Sequence, residues 1–214
     1  MWVVKIGGSL LLSDQLGEWL DVIGCYGGGS VVIVPGGGLF ADQVRATQQH
    51  WHYDDGAAHH MTLLAMEQYG VMMTGLRPDL VLAISRAQIV SNLNCARVPV
   101  WLPRDLVLAD SALPRSWEIT SDSLAIWLAQ MLGAPRVLLV KCCSFGVTTL
   151  PCKEVNQTRI VDPFFCELAH RAGVEAWICG AEAHQSLRDA LYAESGCGTR
   201  IVCTGGDLHD VRPL

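Results

Sequence analysis

Short apolar runs alternating with stretches of helical spacing constrain this chain more than any other feature of its 214 residues. The apolar runs cover residues 3–6, 31–34, 80–84, 98–102, 137–140, 176–179 and 199–202. Between most of them lie stretches with apolar residues three and four apart: 40–49, 61–72, 121–132, 165–172 and 185–193. A continuous apolar strand must be covered on both faces, and the intervening helices supply that cover. The expectation is an α/β protein, a three-layer α/β/α sandwich with a mainly parallel central sheet. No repeat or low-complexity tract interrupts the pattern. The whole chain reads as one domain, 1–214, with its likeliest hinge at the proline-bounded stretch 103–114. That divides it into halves 1–110 and 111–214.

Composition narrows the function. Half of the residues are hydrophobic, only 17% are charged, and the net charge is −6. Such a chain builds a substantial core, and its surplus of apolar residues points to a homo-oligomer. A negative balance argues against nucleic acid or an acidic membrane surface as a main partner. No apolar run reaches the length of a membrane span. The opening Met1-Trp2-Val3-Val4-Lys5 has no basic run of the kind that begins a secretory leader. The nine cysteines include no C-x-x-C pair, and Cys25, Cys179 and Cys203 sit in or beside apolar stretches. Free thiols in a reducing cytoplasm are the expectation.

Two glycine loops carry the chemistry. In "VVKIGGSLL", residues 3–11, a lysine interrupts a strand just before Gly7, Gly8 and Ser9. Lysine is rarely buried without a partner, and paired glycines let backbone N–H groups approach a ligand closely. A cation and a backbone cradle together suit an anion. In "SVVIVPGGGLFADQVR", residues 30–45, a strand ends in Gly36, Gly37 and Gly38 and turns into a helix. The free N–H groups of a helix start make a second anion site. Gly36-x-Gly38-x-x-Ala41 also meets the dinucleotide fingerprint. That fingerprint needs an acid at the end of the next strand, whereas Asp54 and Asp55 fall in a polar loop. The Walker pattern is absent.

The loops, together with "WEITSDSLAIWLAQMLGA" (117–134), "VLLVKCCSFGV" (137–147) and "GTRI" (198–201), resemble the amino acid kinase family over nearly the whole chain. Its members include acetylglutamate, uridylate, carbamate and isopentenyl phosphate kinases. The resemblance implies ATP with Mg²⁺ as phosphoryl donor and a small-molecule acceptor. The acceptor would lie in the N-terminal half and the nucleotide in the C-terminal half. Lys5 would neutralise the transferring group. Gly7, Gly8, Ser9, Gly36, Gly37 and Gly38 would cradle its oxygens. Asp122 beside Ser121, in the first turn of a helix, would organise the centre. Lys141 at a strand end would add a second cation, and Gly146 would belong to the nucleotide loop. Phosphoryl transfer asks for positioning and charge stabilisation more than for covalent catalysis, so this residue set suits it.

The pattern breaks in two places. The family's T-D-V-D-G-V-like loop is replaced by residues 142–147, Cys-Cys-Ser-Phe-Gly-Val, which hold no acid. Its second catalytic lysine, in a later glycine-methionine segment, has only Lys153 or Arg159 as a stand-in. On the acceptor side, His59 and His60 resemble the histidine that holds a phosphate in the phosphate-accepting branch. With the compact length and the Gly-Gly-Ser-Leu opening, the resemblance implies a furan-methyl phosphate-like acceptor and a diphosphate product, as in the aminomethyl-furan-methyl phosphate kinase of methanofuran biosynthesis. Two alternatives stay open: a carboxylate acceptor clamped by Arg45 or Arg77, and a nucleotide- or oxyanion-binding relative without turnover. His50 and His52 with His59 and His60 would also suit a transition metal, but no carboxylate or thiolate completes the set, so no metal site is expected.

Overall fold

The computed structural model describes residues 1–193 and 195–203. Eight strands form one sheet: β1 (Trp2–Ile6), β2 (Val31–Pro35), β3 (Leu80–Ala83), β4 (Val98–Trp101), β5 (Arg136–Lys141), β6 (Thr149–Pro151), β7 (Glu175–Gly180) and β8 (Thr199–Val202). Their spatial order is β3-β4-β2-β1-β5-β7-β8-β6. Every neighbouring pair is parallel except β7 and β8. This is the α/β sandwich with a mainly parallel sheet that the alternating pattern calls for.

Nine helices among the described residues cover the sheet: α1 (Gln15–Tyr26), α2 (Gly38–Trp51), α3 (Asp55–Leu76), α4 (Arg86–Asn94), α5 (Arg104–Ala109), α6 (Ser121–Leu132), α7 (Cys152–Gln157), α8 (Phe165–Ala172) and α9 (His184–Ala193). Alternation along β1 sends successive side chains to opposite faces. Trp2, Val4 and Ile6 join α1 and α9 in one core, and Val3 joins α3, α6 and α8 in the other. Lys5 has the parity of Val3, so its side chain leaves the sheet on the face that carries α6. That answers why a buried strand tolerates a lysine: it ends on the face where a helix brings the partner.

The structure departs from the sequence reading at several elements. The stretch 103–114 holds α5, with Pro103 before its first turn. Helix α3 begins at Asp55, capped by the Asp54 carboxylate accepting from Ala57 N–H at 2.8 Å, six residues before the expected helical stretch. Nor are all the thiols free. Pro151 on β6 pairs with Val202 on β8, so the next residues, Cys152 and Cys203, lie side by side with Cα atoms 5.0 Å apart and are joined in a disulfide. Cys166 lies with its sulfur close to both.

Candidate active site

Strand ends build the site. Lys5 is the fourth residue of β1 and Lys141 the last of the neighbouring β5. Asp122 sits in the first turn of α6, packed above β1. Its Oδ1 is 2.9 Å from Lys5 Nζ and its Oδ2 accepts from Lys141 Nζ at 2.7 Å, one carboxylate oxygen to each ammonium. Lys5 and Asp122 are buried at 5% and 4% exposure. Burial lowers the Lys5 pKa, with Asp122 opposing the fall. Burial alone would raise the Asp122 pKa, but the two ammoniums hold it down to about 2. The arrangement is a buried carboxylate that aims two lysine side chains at one place.

The two glycine loops touch beside it. A Cβ on Gly8 would lie 2.6 Å from Gly38 Cα, and one on Gly36 would lie 2.5 Å from Gly8 N. Only glycine permits backbones this close. Gly7 N–H donates to Val140 O at 3.0 Å and Gly36 N–H to Ile6 O at 2.9 Å, which fixes both loops to strand ends. Gly38 has φ +55°, in the left-handed region where glycine carries no penalty.

A cavity of about 400 Å³ opens on these loops. Gly8, Ser9, Gly37, Gly38 and Ser121 line it, and its far side carries Arg45, Asp42 and Trp117. The Arg45 guanidinium carbon stands 4.3 Å from the centre of the Trp117 ring, and Trp117 Nε1–H donates to Gln48 Oε1 at 2.6 Å. A second cavity, of about 530 Å³, is bounded by Cys142, Ser144, Phe145, Gly180 and Thr199, among others. Ser121, the chain neighbour of Asp122, lines the first cavity, and Cys142, next to Lys141, lines the second. The ion triad of Lys5, Asp122 and Lys141 lines neither cavity itself and lies beside residues that line each.

Not every expected site residue comes to this centre. Gly7 and Gly36 brace the loops without lining the cavity, and Gly146 lies outside the lining of the second cavity. His59 is buried against the Ser116 carbonyl, with burial lowering its pKa, and His60 is exposed. Neither lines either of these two cavities, and His59 lies on the buried face of α3. Of the two clamp arginines, Arg45 is at the cavity. Arg77 is held elsewhere by Asp21 and by Asp79, the latter at 3.0 Å. Lys153 and Arg159 line neither cavity. Among the described residues the histidines do not converge with other metal-donor side chains; the one such cluster is Cys152, Cys166 and Cys203, two of which are joined in the disulfide.

The sequence pattern of the amino acid kinase family matches residues 1–160. The chain belongs to the amino acid kinase family. It is a kinase acting on a small metabolite. It is 23% identical over 216 residues to the [5-(aminomethyl)furan-3-yl]methyl phosphate kinase of Methanocaldococcus jannaschii, covering 94% of this chain and 98% of that one. Uridylate kinase from Archaeoglobus fulgidus superposes with a TM-score of 0.71 at 14% identity, covering 94% of this chain and 99% of that one. Isopentenyl phosphate kinase does so with a TM-score of 0.64 at 19% identity, covering 94% and 100%. These solved structures carry the fold across the whole sheet.

Two participants escape the sequence reading. Trp117 lies inside a motif that drew notice only for its aspartate. Asp162 reaches the centre from the turn between α7 and α8, thirty residues beyond the end of α6, where no local spacing signals it. Its one sequence trace is an isolated acid before Pro163.

Proposed function

We propose that this kinase transfers the terminal phosphoryl group of ATP to an acceptor that already carries a phosphate, giving a diphosphate. The observation that carries the reading is Lys5 and Lys141 gathered on one buried aspartate beside the glycine cradle, across a cavity from Arg45. An acceptor oxygen attacks the terminal phosphorus, the bond to the bridging oxygen breaks, and ADP leaves. The two ammoniums offset charge on the transferring oxygens, and the N–H groups of the loops orient them.

The half 1–110 takes the acceptor, with Arg45 opposing its anionic end, Met66 and, from the other half, Trp117 against its body, and Asp42 available to an ammonium. An aminomethyl-furan-methyl phosphate has all three features, and it is the acceptor named for the M. jannaschii relative. The half 111–214 takes the nucleotide, with its base against Phe145 and Val147. The residues fit ATP better than a protein-held Mg²⁺. The loop 142–147 holds no acid, and Asp122 is engaged by both lysines, so Mg²⁺ would arrive on the nucleotide's own oxygens. A cytoplasmic homo-oligomer completes the proposal, and no described helix is long and apolar enough to cross a membrane.

The test is ADP release from MgATP with [5-(aminomethyl)furan-3-yl]methyl phosphate, UMP, isopentenyl phosphate and N-acetylglutamate offered separately. Turnover with a phosphate-bearing compound, abolished in Lys5→Ala, is the expected result. Turnover with N-acetylglutamate alone would overturn the phosphate acceptor. ATP binding by calorimetry with no turnover on any of them would overturn catalysis.

A further inference from the structure

A buried carboxylate outside the ion triad is unaccounted for by the reaction. Asp162 is 8% exposed and reaches the first turn of α6 from the turn before α8. Its Oδ2 accepts from Thr120 N–H at 2.9 Å, Thr120 Oγ1–H at 2.8 Å and Ser123 N–H at 3.0 Å. Its Oδ1 accepts from the Ser123 hydroxyl. The first N–H groups of a helix have no partner within it, and a side chain at the cap position ordinarily meets one of them. Here the cap residue, Thr120, makes no such bond with its own side chain. Its hydroxyl turns to Asp162 instead. The same segments are stitched again where Phe164 N–H donates to Glu118 O at 3.2 Å.

Thr120 stands two residues before Asp122 and Ser123 directly after it, so the bonds that Asp162 accepts tie down the backbone to either side of it. We propose that Asp162 is a positioning residue: it fixes the first turn of α6 so that Asp122 presents one oxygen to Lys5 and the other to Lys141. This rests on the phosphoryl-transfer reading for its kinetic consequence but not for its geometry. The position is costly. Burial, and then repulsion from Asp122, push the Asp162 pKa up to about 6. A second carboxylate behind the first is tolerated because four donors and two lysines surround the pair. Ordinary helix capping would be met by a neutral side chain without that cost.

Two measurements separate positioning from simple support of the fold. The first needs no acceptor. Lys5, Lys141 and Lys153 are the only lysines in the chain. Acetylation by a dilute amine-selective anhydride, read peptide by peptide by mass spectrometry, therefore reports Lys141 against Lys153. In Asp162→Ala the labelling rate of Lys141 rises several-fold while that of Lys153, on α7, stays at the wild-type rate. The second measurement is kinetic, with MgATP and whichever acceptor is turned over. In Asp162→Ala kcat per folded enzyme falls at least tenfold with both KM values within about threefold. Asp162→Asn, which keeps an accepting oxygen, recovers most of the loss. If Asp162→Ala does not fold, the double variant Thr120→Val/Ser123→Ala removes the two hydroxyl donors and moves Lys141 labelling and kcat in the same direction. Unchanged Lys141 labelling in a folded variant overturns positioning, as does a kcat within twofold of wild type. A wild type inactive on every acceptor overturns the proposed function while the labelling result still decides the role of Asp162.

Discussion

Replacing Asp122 by asparagine tests the centre at its most connected residue. The carboxylate is held down to about 2 from 3.8 while buried, so its pairing with the two lysines stabilises the folded chain at neutral pH by about 2 kcal/mol. Asparagine removes that and also leaves two ammoniums facing each other, one of them buried. Breaking a buried pair from one side costs roughly 3–5 kcal/mol. For a domain of this size each kcal/mol lowers Tm by about 2–4 °C, so a loss near 3 kcal/mol predicts a fall of about 6–12 °C. Activity falls further, because misaimed lysines forfeit charge stabilisation on the order of 10²–10³ in rate. The assay pairs calorimetric melting at neutral pH with phosphoryl transfer at a temperature where both proteins are folded. The pH dependence has a definite sign. A carboxylate with a depressed pKa lends stability above its unfolded value and loses it as pH falls from about 4 through about 2. That decline appears in wild type and is missing in the variant. An Asp122→Asn protein melting within about 1 °C of wild type, with kcat within threefold, would refute the ion triad as the organiser of the site.

Gly8→Ala places a methyl group against Gly38, so it separates the two loops and is expected to abolish transfer; normal turnover with an unchanged melting curve would contradict the contact. Arg45→Ala should raise KM for a phosphate-bearing acceptor by about tenfold, the loss of one charge-assisted contact, with KM for ATP unchanged. Asp162 has a raised folded pKa, so its contribution is fully present below about 4 and is lost as pH rises through about 6. Wild type should therefore lose more stability between pH 4 and 6 than Asp162→Asn. The difference between the two melting curves isolates this group from His59, whose lowered pKa acts in the opposite direction.

What was legible in the sequence were residues that break a local rule. Lys5 stands out because a strand buried on both faces has no other use for a cation, and the glycine loops stand out because nothing else approaches so closely. Asp122 was legible only through the family resemblance, because a first-turn acid is also what an ordinary helix dipole favours. Elements whose signal is diluted were lost: α1 carries Gly17 and Gly24 inside an otherwise apolar spacing, and β6 is three residues long at the sheet edge. The histidines misled because the start of α3 could not be placed. Asp54 caps that helix earlier than the apolar spacing implies, and moving the start rotates His59 into the core and His60 out to solvent. Asp162 and the Cys152–Cys203 bridge depend on segments far apart in sequence being laid side by side, which no local pattern encodes.

The place of β1 in the sheet bears on how the protein is made. β1 precedes every other described strand in the sequence, yet it lies in the middle of the sheet, between β2 and a fifth strand more than a hundred residues later. Until that strand arrives, one edge of β1 is a row of unpaired backbone groups able to pair with another chain. Lys5 meanwhile waits for Asp122. Closing the sheet and neutralising its buried cation thus belong to the same late event, and such long-range parallel pairing is slow to form. A chain that stops before residue 141 holds neither a finished sheet nor a finished site, and it leaves that edge of β1 open to pairing.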